Sequence, residues 1–179
     1  MSLLRRLALT LLLVPSSPAL ADPWAQNEAW LKGAIADCRA AGRDRTACRH
    51  FTGEALKRLF GIGDFCGPSR CLKAVEIEWE LRNTPDKWSP IGTAADQAAL
   101  DKARELAARG KAVLAVQNER DRGQVAILMP GRPVPSGRWK LDVPIAVAAR
   151  VDRPGLSVYG KGLNWVFDEA SQVKLFAQR

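Results

Sequence analysis

The chain has 179 residues, 47% of them hydrophobic and 26% charged, with a formal net charge of +8. That length supports one domain with a real core, and the composition excludes a disordered tail. The basic residues are spread over Arg39 to Arg58 and Lys102 to Arg153 rather than gathered in one run. Such a surface can meet anionic cell-wall polymers, lipid headgroups or stray nucleic acid, and charge alone does not choose among them; no specific nucleic-acid partner is expected.

The first residues read as a targeting segment. Arg5 and Arg6 give a positive start, Leu7 to Val14 an apolar run too short to span a bilayer, and Ala19-Leu20-Ala21 a small-residue cleavage signal. Residues 1–21 are therefore expected to be removed on export, leaving a periplasmic or secreted protein without a transmembrane segment. Two of the eight net positive charges lie in that segment, so the mature chain carries +6.

Asp22-Pro23 opens the first helix with a cap followed by proline at the first helical position. Ala25, Ala29, Trp30, Ile35 and Cys38 form its apolar stripe, and Gly42 ends it. A second helix follows, capped by Asp44 or Thr46 and stopped at Gly61-Ile62-Gly63. Within it Cys48, Phe51, Ala55 and Leu59 share one face. Cys48 thus lies in the first turn, where free N–H groups and the helix dipole favour a thiolate, the setting a nucleophilic cysteine needs.

Disulfide bonding competes with that role. Cys38, Cys48, Cys66 and Cys71 all lie in the exported part, where disulfides persist, and four cysteines allow three connectivities. Cys66 and Cys71 can close across a Gly-Pro turn; a Cys38–Cys48 pair would staple the first two helices and consume the nucleophile. A zinc site is disfavoured because neither spacing is C-x-x-C and the chain has one histidine. No cofactor is expected either: Gly160-Lys161-Gly162 lacks the rest of a phosphate loop.

Leu72 to Leu81 reads as a third helix, although Val75, Ile77 and Trp79 alternate well enough for a strand. Thr84-Pro85-Asp86 then breaks the chain. Thr93 to Asp96 resembles a capping box before a helix over Ala94 to Arg109. Lys111 to Gln117 and Gln124 to Met129 form a hairpin with a polar turn ending at Gly123. After a proline-rich loop, 130–137, come strands over Val143 to Val151, Leu156 to Tyr159 and Val173 to Ala177. Helices first and an antiparallel sheet after is the α+β pattern. Trp88 and Trp139 fall in loop-like segments and are the two tryptophans singled out for ligand contact, since an exposed indole can stack on a sugar ring.

This layout, with the stretches CRHFTGEALKRLFGIGDF, IGTAADQAALDKARELAARGKAVLAVQ, GQVAILMPG, SGRWKLDVPIAVA and VYGKGL, resembles the papain-like cell-wall cysteine peptidases of the NlpC and CHAP type. The resemblance covers Ala47 to Leu163 and implies a single papain-like domain over 22–179. In such families the cysteine attacks an amide carbonyl, a histidine at the start of the second core strand takes its proton, and a polar residue on the next strand orients the imidazole. Cys48 falls on the nucleophile position. Gln124, in Gly123-Gln124-Val125-Ala126, stands where the histidine is expected, and glutamine offers only amide hydrogen bonds. Ile145-Ala146-Val147 occupies the orienting position. His50 is two residues from Cys48 on one helix, which turns it away. Asp64 and Asp142 are conceivable substitutes that no spacing argument favours.

The resemblance therefore implies a decayed centre that binds peptidoglycan fragments or a protein partner. The alternatives are an active cysteine peptidase or amidase with Cys48 as nucleophile and an unrecognised base, and a secreted inhibitor or immunity-type protein.

Overall fold

The computed structural model describes residues 22–119 and 122–179; the expected targeting segment lies outside them. The order is α1 (Pro23–Ala40), α2 (Thr46–Phe60), α3 (Ala74–Asn83), β1 (Trp88–Thr93), α4 (Gln97–Ala108), β2 (Val113–Glu119), β3 (Arg122–Leu128), β4 (Val134–Ser136), β5 (Leu141–Val143), β6 (Ile145–Ala148), β7 (Val158–Gly162) and β8 (Lys174–Gln178), with short 3-10 turns among the last strands. The fold is α+β. Six strands form one antiparallel sheet in the order β1-β8-β2-β3-β6-β7, and β4 and β5 make a separate ribbon.

The sheet is buried on both faces, so its strands read as apolar runs rather than strict alternation. On one face α1, α2 and α3 pack over Leu114, Val116, Val125, Ile127 and Val147. On the other, α4 and the C-terminal turns cover Val113, Ala115, Ala126, Leu128 and Ala146. Residues one apart on a strand thus belong to opposite clusters.

Asp22 caps α1 by accepting from the Trp24 N–H at 2.9 Å, with Pro23 in the first turn. The buried face is Trp24, Leu31, Ile35 and Cys38, one side-step from the expected stripe. On α2 the expected face is the observed one: Cys48, Phe51, Ala55 and Leu59 are all buried. Asp44 accepts from the Thr46 N–H at 2.8 Å and satisfies one of the helix's free donors. Trp30 of α1 lies parallel to Phe51 of α2 at 6.1 Å, and the Arg58 guanidinium sits 4.5 Å from the Trp30 ring.

The third helix is present as expected, shifted to Ala74–Asn83, and Ile77 and Leu81, four apart, lie on its buried face. Several other expectations are corrected. Asp96, not Thr93, caps α4, through the Ala98 N–H; Thr93 ends β1. The segment around Trp88, expected to be loop-like, forms β1, an edge strand where the donor missing at Pro90 is tolerated. Pro144 divides the single strand expected over 143–151 into β5 and β6. Gly123 lies inside β3 opposite Asn118 rather than in a turn. A Cβ there would lie 2.5 Å from the Ala74 Cβ and from Asn118 Oδ1, so this glycine lets the start of α3 rest directly on the strand.

Candidate functional site

Pairing between β3 and β6 is confined to Ile127 with Val147 and Leu128 with Ala146. Toward the start of β3 the two segments part, and a cleft of about 670 Å³ opens there. Its walls come from the head of α2, residues 72–75 and Ile77 at the start of α3, Gln117, the start of β3, and residues 149–153 with Val166 and Asp168.

Cys48 is the third residue of α2 and lines this cleft. It is bonded to Cys38, and Cys66 is bonded to Cys71, so no described cysteine is free. A sulfur in a disulfide is neither thiolate nor nucleophile.

Strand parity decides what faces it. Val125 and Ile127 belong to the cluster that contains Cys48, whereas Ala126 and Leu128 belong to the cluster under α4. Gln124 shares the second set's face. It lines the cleft, yet points to the opposite side of the sheet from α2. Its Nε2 donates to the Ala149 carbonyl at 3.2 Å and the Val125 carbonyl at 3.1 Å, spanning the gap between the parted segments. From the sheet, Cys48 meets an apolar cluster that includes Val125 and Ala149.

The acids lining the cleft are Asp152 and Asp168, and both are held by arginines. Arg150, 6% exposed, reaches Asp152 at 2.9 Å and donates to the Val166 carbonyl at 3.1 Å. Arg153 bridges the two carboxylates, at 3.1 Å from Asp152 and 3.4 Å from Asp168, and Arg138 meets Asp168 at 3.1 Å. Burial pushes both carboxyls up, but the arginine hydrogen bonds and charges outweigh it and hold both below the usual carboxylate range. A carboxylate stabilised this way is a weaker base, which argues against either as a substitute for histidine.

The other candidates lie elsewhere. His50 does not line the cleft. Asp64 pairs with Lys87 at 2.8 Å, and Asp142 on β5 exchanges backbone bonds with the Gln97 side chain. Trp88 is corrected outright: it is 2% exposed and packs edge-on against Phe65 at 5.7 Å, which leaves no ring face for a sugar. Trp139 is half-buried against the far cluster, with its indole N–H donating to the Asp168 carbonyl at 3.1 Å.

The exposed tryptophans are instead Trp79 and Trp165, each 64% exposed. Helical spacing carried the signal for Trp79, which stands two residues from both Ile77 and Leu81 and hence off their face. It shares a face with Val75, four residues back, which lines the cleft; Trp165 directly precedes the lining residue Val166. Among the described residues, exposed Arg49 and Lys73 join Arg150 and Arg153 as lining cations, four against two carboxylates. Among the described residues there is no group of three or more metal-ligating side chains, and no helix is long and apolar enough to cross a membrane.

No family model matches the sequence, and no curated protein matches it either.

Proposed function

We propose that this chain is an exported, papain-like domain of NlpC/CHAP type that binds peptidoglycan peptide fragments in the cleft without cleaving them. The observation that carries this reading is Cys48: it has the nucleophile's place in the first turn of α2 and lines a cleft, yet is bonded to Cys38 and packed in an apolar cluster. Two disulfides and the targeting signal in residues 1–21 support export.

Muropeptides suit the cleft chemically. They are acidic, and Arg49 and Lys73 sit exposed where, among the described residues, lining cations outnumber lining carboxylates. Exposed Trp79, one helical turn on from the lining residue Val75, and exposed Trp165, next to the lining residue Val166, offer ring faces to the attached sugars. Titration calorimetry with purified muropeptides tests the reading. Saturable binding that weakens in Arg49→Ala and Lys73→Ala supports it; no binding by the folded mature protein, or binding indifferent to both substitutions, refutes it.

A further inference from the structure

The two sulfurs of the Cys38–Cys48 bridge have different surroundings. Cys38 is fully buried, whereas Cys48, 3% exposed, lines the cleft. Ser157, itself 1% exposed, holds its Oγ 3.1 Å from Cys38 Sγ. A bridged sulfur has no proton, so the hydroxyl is the donor. Its acceptor side is also occupied, because the Arg150 backbone N–H donates to Ser157 Oγ at 2.9 Å. Arg39 Nε donates to the Ser157 carbonyl at 2.8 Å and ties the serine to α1. The hydroxyl proton is thus held on the sulfur that a reagent in the cleft cannot reach.

We propose that the Cys38–Cys48 bridge is a thiol–disulfide exchange site, in which a thiol reductant entering the cleft attacks Cys48 and Ser157 stabilises the charge developing on Cys38. In the first step the reductant's thiolate forms a bond to Cys48 Sγ, the Cys38–Cys48 bond breaks, and its electron pair goes to Cys38 Sγ. Cys38 lies near the end of α1, where unbonded carbonyls disfavour an anion. The Ser157 hydroxyl offsets that, and leaving-group stabilisation sets the rate of such exchange. In the second step another reductant thiolate attacks the reductant's sulfur in the mixed disulfide and Cys48 leaves as thiolate. There the free N–H groups of α2 favour the anion. Two thiols are oxidised to one disulfide and the bridge gains two electrons and two protons. The proposal needs the cleft's access to Cys48 and not the muropeptide reading.

The test uses reduced glutathione on the folded mature protein; the glutathione is then removed, and the protein is alkylated with N-ethylmaleimide in denaturant, which exposes Cys38, and mapped with trypsin. Arg39, Arg43 and Arg45 separate Cys38 from Cys48, so each appears on its own peptide. The expected result is glutathione on Cys48 and the maleimide on Cys38. Ser157→Ala slows adduct formation about tenfold, as loss of a hydrogen bond to a developing anion does, and Ser157→Thr, which keeps the hydroxyl, restores most of the rate. If Ser157→Ala does not fold, the wild-type adduct map decides alone. Glutathione on Cys38, a Cys38–Cys48 bridge that reacts only in denaturant, or a folded Ser157→Ala reacting at the wild-type rate overturns the proposal.

Discussion

Gly53 stands in the middle of α2, where glycine costs a helix about 1 kcal/mol relative to alanine. The reason for it is the second disulfide. A Cβ at position 53 would lie 2.2 Å from Cys66 Sγ, 3.1 Å from the Phe65 carbonyl and 3.3 Å from Cys71 Sγ. The bridged sulfurs cannot swing aside as a free side chain would, so Gly53→Ala must push the Cys66 to Cys71 loop off α2. Overpacking of this kind costs about 1–3 kcal/mol even after its own gains, which for a chain of this size is a fall in Tm of roughly 2–12 °C. Thermal unfolding followed by circular dichroism measures it. The same substitution in a Cys66→Ser, Cys71→Ser background relieves part of the contact, so the double-mutant cycle shows a coupling of about 1 kcal/mol or more between position 53 and the bridge. A Gly53→Ala variant more stable than the parent, by the propensity gain alone, would refute the reasoning.

Three further outcomes follow from other sites. Gln124→His creates no cysteine peptidase activity on muropeptides, even after reduction, because parity turns position 124 away from α2; Cys48-dependent cleavage in an assay of that variant would contradict the register. Glu78, 6% exposed, meets Lys174 and Arg82, each at 2.8 Å, and Asn118; Glu78→Gln costs about 1–3 kcal/mol in denaturant titration. Stability also declines in acid: burial pushes the Glu78 carboxyl up, but Lys174, Arg82 and Asn118 hold it lowered, and the Arg70 hydrogen bond and the Lys73 N–H bring Glu76 to about 2. Both folded values lie below the unfolded ones, so this stabilisation is full above about pH 5 and lost as pH falls toward 2. Unfolding midpoints measured from pH 6 to 2 should show that decline, and flat midpoints would count against these pairings.

Most of what positions the site was legible in the sequence. The buried face of α2 followed from spacing alone, as did the order of helices before antiparallel strands. Which face of β3 meets α2 was not legible, because Val125, Ala126, Ile127 and Leu128 are all apolar and all buried. A strand covered on both sides has no alternation to read. Trp88 was misplaced for a related reason: the flanking Thr84-Pro85-Asp86 break and Pro90 resemble a loop, and only pairing with β8 makes the segment an edge strand. Glu78, in turn, reads as a surface charge until Lys174, 96 residues away, is brought against it. The disulfide pairing was one of three possibilities, settled by α1 and α2 packing side by side.

Incubation of the oxidised mature protein with muropeptides, with binding and product mass read on the same samples, tests the proposed binding of peptidoglycan peptides without cleavage. The expected result is bound, intact muropeptide. Release of cleaved products that disappears in Cys48→Ser would contradict it.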